Sequence, residues 1–267
     1  MSWPLDLALL RHGESEGNVA HNRSKRGDHS LYTPEFRRRH STTWRLTNRG
    51  LTQPPLAGAW VRANIDERFD VYLTSNCLRA VETAAHLGLP DARWRIDANL
   101  RERERGRLDV VSQDELTNEF APEMLRRLID GFHWRPPGGE SMDDVCQRVD
   151  IVLNSLRQLG DNQRAIVVCH GEVLWAFRLL LEGLPIARFL DLEHSSDPRD
   201  RMNNGQVLHY TRRDPDTGVI SSEFQWTRSV CTTDLSRSHN VWERIRRPLY
   251  SNDELLSIAA SYPRFIE

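Results

Sequence analysis

Lysine is almost missing from this chain: Lys25 is the only one among 36 basic side chains in 267 residues. The arginine bias is explained most simply by the base composition of a genome, although each guanidinium is a planar, permanently charged fork suited to phosphate. An excess of one charge sign is missing too. The chain carries 36 basic against 38 acidic side chains, a net charge of −2, which excludes the broad affinity for polyanions expected of a nucleic-acid-binding surface. Cysteine is scarce. Cys77, Cys146, Cys169 and Cys231 are scattered with no Cys-x-x-Cys pair, so neither a zinc site nor a disulfide framework is expected, and a reducing cytoplasm is the expected location. The longest apolar segment, Val173 to Leu184, is too short to span a bilayer and contains Arg178 and Glu182. The first residues, Met1 to Asp6, lack the basic region of a signal peptide.

What is present is a duplication. Leu7-Ala8-Leu9-Leu10-Arg11-His12-Gly13-Glu14 and Ala165-Ile166-Val167-Val168-Cys169-His170-Gly171-Glu172 each end an apolar run on His-Gly. A short apolar run closed by a polar-glycine break reads as a buried strand of a parallel sheet. Ligand crevices in open α/β sheets lie beyond the carboxyl ends of the strands. Two imidazoles are therefore expected at one sheet mouth, provided the strands are neighbours. Glu14 to Ala20 reads as the opening of a helix, whose free amides favour anions. A histidine beside Arg11 at such a helix start points to phosphoryl chemistry.

Further segments follow in order. Leu46-Thr47-Asn48-Arg49-Gly50-Leu51-Thr52-Gln53 opens a helix, Leu73 to Ala84 carries Arg79, Leu100-Arg101-Glu102-Arg103-Glu104-Arg105-Gly106 carries several acids, and Pro137-Gly138-Gly139-Glu140-Ser141 precedes the second histidine motif. Together with Arg11-His12-Gly13-Glu14 and Asn18, these resemble the signature of the histidine phosphatase superfamily, also called the phosphoglycerate mutase-like family, over about residues 5–210. The resemblance implies a catalytic His12, a phosphate nest of Arg11, Arg79, Asn18 and Gly171, a protonated His170 that neutralises phosphoryl oxygens, and Glu102 as the proton donor. It implies no metal and no cofactor. Glu172, Glu14 and Glu104 are rival acids. A carboxylate at a helix start, as Glu172 would be, is stabilised as the anion and makes a poorer acid.

The elements expected around these motifs alternate. A strand runs over Asp70–Thr74, a helix over Leu78–Leu87, and a helix from Ser141 with Asp144 as an approximate capping box. The apolar positions 142, 145, 149, 152, 156 and 159 of that last helix keep helical spacing. The fold class expected is α/β: a three-layer sandwich with a mostly parallel central sheet flanked by helices. One domain over residues 1–267 is expected, with an insertion at about 21–45 and a C-terminal extension at about 211–267. The arginines of the insertion, Arg23, Arg26, Arg37, Arg38, Arg39 and Arg45, are candidates for a second phosphate or carboxylate, or else a solvated helix face. His21, His29 and His40 match no metal signature. Pro54-Pro55 is expected to make the helix after Leu46 restart. Residues 213–218 are expected to turn between strands at Val207–Tyr210 and Val219–Phe224. Trp226 and Trp242 offer apolar surface for burial on the body or on a second subunit of a homo-oligomer.

Hydrolysis of a small phosphomonoester through a phosphohistidine is the first functional reading. A phosphoglycerate mutase-type isomerase is the second, although the tryptophan that glycolytic mutases usually carry before the motif asparagine is Gly17 here. A phosphate-binding protein without turnover is the third. The expected partner is a small phosphorylated substrate, with neither nucleic acid nor membrane.

Overall fold

The computed structural model describes residues 3–266. Its sheet has seven strands: β1 (Asp6–Arg11), β2 (Val71–Ser75), β3 (Trp94–Asp97), β4 (Arg164–Cys169), β5 (Gln206–Thr211), β6 (Trp226–Cys231) and β7 (His239–Arg244). Their order is β3-β2-β4-β1-β5-β6-β7. The ladders β2–β3, β2–β4 and β1–β4 are parallel. Those of β1–β5, β5–β6 and β6–β7 are antiparallel. The α/β class and its layers are as expected, and the sheet is mixed, with the parallel half beside the site. The antiparallel half comes from beyond residue 205, so β6 and β7, which lie in the region read as an extension, continue the same sheet.

Side-chain alternation builds two cores. Leu7, Leu9, Ala165, Val167 and Cys169 face one cluster, and Ala8, Leu10, Ile166 and Val168 face the other. That is the period of two expected when a strand is buried on both faces. The first cluster is roofed by α7 (Met142–Leu156), α8 (Gly171–Glu182) and α9 (Ile186–Glu193), and the second by α3 (Asn48–Asn64) and α4 (Leu78–His86). Shorter helices cover the top: α1 (Glu16–Ser24), α2 (Pro34–Arg38), α5 (Gln113–Asn118) and α6 (Ala121–Asp130). A last helix, α10 (Asn252–Ala260), follows β7. Among the described residues no helix is long and apolar enough to cross a membrane.

The helix starts are set by local chemistry. Ser141 and Asp144 form a full capping box on α7, each partner satisfying a backbone N–H that the first turn leaves free. Two expectations are corrected. Helix α3 runs unbroken through Pro54 and Pro55: the missing N–H groups remove two hydrogen bonds of the ladder, while Pro54, Ala57, Gly58 and Val61 stay buried and keep the helix on the sheet. The strand after the 213–218 turn is Trp226–Cys231, because Val219–Phe224 forms only an isolated bridge, Arg213 to Ile220, before the chain enters β6 and pairs with β5.

Gly58 shows how tightly α3 lies on its neighbour. A Cβ there would stand 1.8 Å from the carbonyl oxygen of Leu87, at the end of α4. Replacing a helical glycine with alanine ordinarily stabilises by about 0.5–1 kcal/mol. Here Gly58→Ala is expected to destabilise by about 1–3 kcal/mol, because α3 must move off α4. Urea midpoints test this, and a stabilised variant would refute the packing.

Candidate active site

Parallel register brings the two histidines together. Arg11 pairs with Cys169 across the β1–β4 ladder, so His12 and His170 are the first residues beyond two adjacent strands. Their ring centroids are 5.0 Å apart. Side-chain donor atoms of His12, His170 and Glu102 all lie within 4.8 Å of one another. Among the described residues they form the sole cluster of three such groups, and the histidines of the 21–45 stretch belong to none: His29 is bonded to Ser24 and His40 to Thr42.

The loop that carries His12 is tied down on every side. Its own N–H donates to the carbonyl of Cys169 at 3.0 Å, Gly13 N–H donates to Thr83 Oγ1 at 3.1 Å, and Glu14 N–H donates to Gln53 Oε1 at 2.7 Å. A Cβ on Gly13 would stand 2.5 Å from the Gly50 carbonyl oxygen, so glycine is what lets the loop lie against the start of α3. His12 Nδ1 donates to the Gly13 carbonyl at 2.6 Å. That bond fixes the tautomer and leaves Nε2 as the unprotonated, acceptor nitrogen. Arg79, buried in the first turn of α4, donates from Nε to this Nε2 at 3.2 Å and from Nη1 to the Ser41 carbonyl at 2.7 Å.

His170 shares a 2.8 Å hydrogen bond between Nε2 and Ser75 Oγ at the end of β2. Its Nδ1 and the Nε of Arg11 are buried without a hydrogen-bond partner. Arg11 is anchored through Nη1 on the Met202 carbonyl. Asn18 accepts at Oδ1 from Ser15 N–H and from Asn204 Nδ2, at 3.2 and 3.1 Å, so its Nδ2 is left to donate into the cavity. Gly171 opens α8, whose amides receive no side-chain cap; like Arg11, His12, Asn18, Arg79 and Glu102 it lines a cavity of about 330 Å³.

Electrostatics separates the acids. Burial, then the neighbouring charge of Glu172, raises Glu102 above the ordinary carboxylate range against the pull of Arg79 and Arg11. Burial also pushes Glu172 up, but Arg105, Arg103 and Arg127 together outweigh it and hold this carboxylate low; Arg105 lies 3.3 Å away and Arg103 3.6 Å. Glu14 accepts from Thr47 Oγ1 at 2.8 Å, away from the cavity lining. Both histidines are pushed well below the ordinary imidazole value, by burial first and then by Arg79 and other nearby cations. For His170, expected to be protonated beside the phosphate, burial and Arg79 favour the neutral imidazole.

Several contributors were not legible in the sequence. Glu140 clamps the segment that carries Glu102: Arg148 reaches it at 3.0 and 3.1 Å, Arg101 at 2.6 Å, and it accepts from Glu104 N–H at 3.1 Å. Only its place in a glycine-rich segment marked it out. The 21–45 stretch does reach the cavity, through His21, Tyr32, Ser41 and Trp44, but its paired arginines are committed elsewhere. Arg37 binds the Tyr32 and Val110 carbonyls and Glu115, Arg38 binds Glu35, and Arg39 binds Glu16. Trp44 stacks on Phe36 at 4.9 Å and lies so close to Gly17 that a Cβ there would be 2.2 Å from the indole.

Residues 7–200 match the model of the histidine phosphatase superfamily (branch 1). A 2,3-bisphosphoglycerate-dependent phosphoglycerate mutase of Methylobacterium radiotolerans is 32% identical over 224 residues, covering 80% of this chain and 92% of that protein. A probable fructose-2,6-bisphosphatase of Schizosaccharomyces pombe is 31% identical, covering 66% of this chain and 39% of that protein. Among solved structures, the fold is similar to a putative alpha-ribazole-5'-P phosphatase from Escherichia coli, with a TM-score of 0.61 at 22% identity, covering 83% of this chain and 96% of that one. A mycobacterial glucosyl-3-phosphoglycerate phosphatase gives a TM-score of 0.58 at 22% identity, covering 77% and 89%. With its two histidines meeting at the mouth of the parallel half-sheet, the chain belongs to the histidine phosphatase superfamily.

Proposed function

We propose that this histidine phosphatase hydrolyses a small phosphomonoester by way of a phosphohistidine on His12. The observation that carries the reading is the meeting of His12, whose Nε2 is an acceptor bonded only by Arg79, with Glu102, their side-chain donor atoms and those of His170 lying within 4.8 Å of one another; burial lowers His12 and raises Glu102 from their ordinary values. Arg11, Arg79, Asn18 and the amides at the start of α8 bind the phosphoryl oxygens, where oriented donors neutralise the charge that repels a nucleophile. His12 Nε2 displaces the alcohol in line, and the P–O bond breaks as the P–N bond forms. Glu102 gives its proton to the departing oxygen. The carboxylate then takes a proton from the water that attacks phosphorus, the P–N bond breaks, and His12 is free again. His170 acts as a neutral donor or takes up a proton as the dianion arrives.

Mutase-type transfer is the weaker reading. It needs a place for a second anionic group, and of the candidate arginines of the 21–45 stretch Arg37, Arg38, Arg39 and Arg45 are engaged by protein acceptors. Trp44 also fills the space at Gly17 that a tryptophan would need.

Para-nitrophenyl phosphate and a panel of phosphorylated metabolites are expected to be hydrolysed in EDTA, and His12→Ala is expected to leave no acid-labile phosphoenzyme in rapid-quench trapping. Loss of activity in EDTA would refute the metal-free mechanism. Isomerisation dependent on 2,3-bisphosphoglycerate and faster than hydrolysis would make the protein a mutase.

Glu102→Gln keeps the side-chain size but not the proton. Phosphoenzyme formation from an alkyl phosphate is expected to fall by about a hundredfold or more, and far less from para-nitrophenyl phosphate, whose leaving group needs little protonation. Equal losses would move the role to Glu172, for which the same comparison on Glu172→Gln decides.

The pH profile carries the signs of the two shifts. His12, lowered, keeps its lone pair at pH values where an ordinary histidine is protonated. Glu102, raised, keeps its proton above the ordinary carboxylate range and loses it as pH rises. The alkyl phosphatase rate is therefore expected to hold on the acid side of neutrality and to fall on an alkaline limb set by Glu102. Comparing kcat/KM profiles of wild type and Glu102→Gln cancels the ionisation of the substrate. An alkaline limb that stays in place in the variant would contradict the assignment.

A further inference from the structure

The segment after Arg247 is built as an element that its own chain does not cover. Arg247 pins the chain to the body, donating to the carbonyls of Leu181 and Phe224 at 3.0 Å each. From Pro248 to Ile266 every residue is exposed. Yet α10 has a complete capping box between Ser251 and Glu254, and the segment carries Leu249, Leu255, Leu256, Ile258, Tyr262 and Phe265, with Leu249 92% and Phe265 90% exposed. Nine residues of isolated helix are marginal in water, and helices of this length are held by burial of an apolar face. An exposed apolar surface of this extent marks an interaction site.

A matching receptor lies on the other side of the active-site wall. Between α6 and α9 a groove of about 430 Å³ is lined by Met124, Leu128, Phe132, Trp134, Phe189 and Leu190. Leu125, Leu128 and Ile129 extend its apolar edge into solvent. Arg103, Arg127 and His194 also line it, against one acid, Glu193, while the first turn of α10 carries Asp253 and Glu254. Leu255, Ile258 and Ala259 sit at i, i+3 and i+4, the spacing with which one helix face enters a groove.

We propose that α10 of one copy docks in the α6–α9 groove of a second copy, forming a reciprocal dimer. Each chain offers one helix and one groove, so a twofold arrangement satisfies both at once, whereas within a single chain the helix stands clear of the body. Arg103 lines both this groove and the catalytic cavity and lies 3.6 Å from Glu172, so the docked helix would rest against the back of the active site. The inference stands apart from the phosphatase reading.

Light scattering after size exclusion tests it on the full chain. The expected mass is twice 31.0 kDa, falling to that of one chain in Leu128→Asp and in the double variant Leu255→Asp, Leu256→Asp; all three positions are exposed, so the fold itself is spared. In a Cys146→Ser background, Leu128→Cys and Leu255→Cys chains, mixed and oxidised, are expected to cross-link between chains. A full chain that stays monomeric at every concentration overturns the proposal, as does a dimer that survives both sets of substitutions. A cross-link that forms within one chain carrying both cysteines, without dimer, assigns the groove to the chain's own helix and overturns the second copy as occupant.

Discussion

Two parallel strands in register, β1 against β4, set the position of nearly everything at the site. Because Arg11 lies opposite Cys169, the next residue on each strand leaves the sheet at the same level, and both are histidines. Neighbouring strands stand roughly 4.8 Å apart, which is why the two rings meet with centroids at 5.0 Å. A slip of one residue would exchange the two faces of the strand, sending Leu7 and Leu9 to the side of Ala8 and Leu10 and separating the imidazoles. The cores that enforce register therefore also set the distance between the two histidines. The Gly13–Gly50 contact and the Thr83 hydroxyl then fix the direction in which His12 leaves the strand.

The same sheet mouth holds two carboxylates whose surroundings drive them apart. Glu102 and Glu172 are each buried, and burial raises both. What differs is the company: Arg105 and Arg103 sit against Glu172, while the charge on Glu172 is itself a cause of the rise at Glu102. Environments that push two titratable groups apart are the kind from which the proposed division into acid and anion follows. The Glu140–Arg148–Arg101 network contributes at one remove, since it fixes the segment on which Glu102 stands.

The parts of this arrangement that were legible in the sequence are those written by short-range patterns. The apolar runs before His12 and His170, the capping box at Ser141 and the helical spacing from Met142 to Leu156 all have local causes, and each appears in the structure. Contacts made by distant residues were not legible. Nothing local shows that Ser41 offers its carbonyl to Arg79, that Ser75 meets His170, or that Glu140 holds the 101–104 segment. The proline pair in α3 misled for a related reason: proline argues against a helix on local grounds, and burial of Pro54, Ala57 and Val61 against the sheet outweighs it. The strand at Val219–Phe224 failed because an apolar run reports burial, not pairing. Phe224 is buried in the core while the ladder to β5 starts at Trp226.

Gly17 and Trp44 show how a chain can keep a site and alter what enters it. The proposed phosphoryl nest is made by strand ends and helix starts, whose positions follow from the sheet. The wall beyond it comes from the 21–45 stretch, which is tied to the body by side-chain contacts such as Arg37 to Glu115 and Arg39 to Glu16. A bulky residue at position 17 and the indole at position 44 cannot coexist in this arrangement, because the Cβ alone would stand 2.2 Å from the ring. The two positions therefore form one choice of wall, made outside the His12–His170–Glu102 cluster. The shape of the cavity can change there while His12, His170 and Glu102 remain where the β1–β4 register and the Glu140 clamp put them.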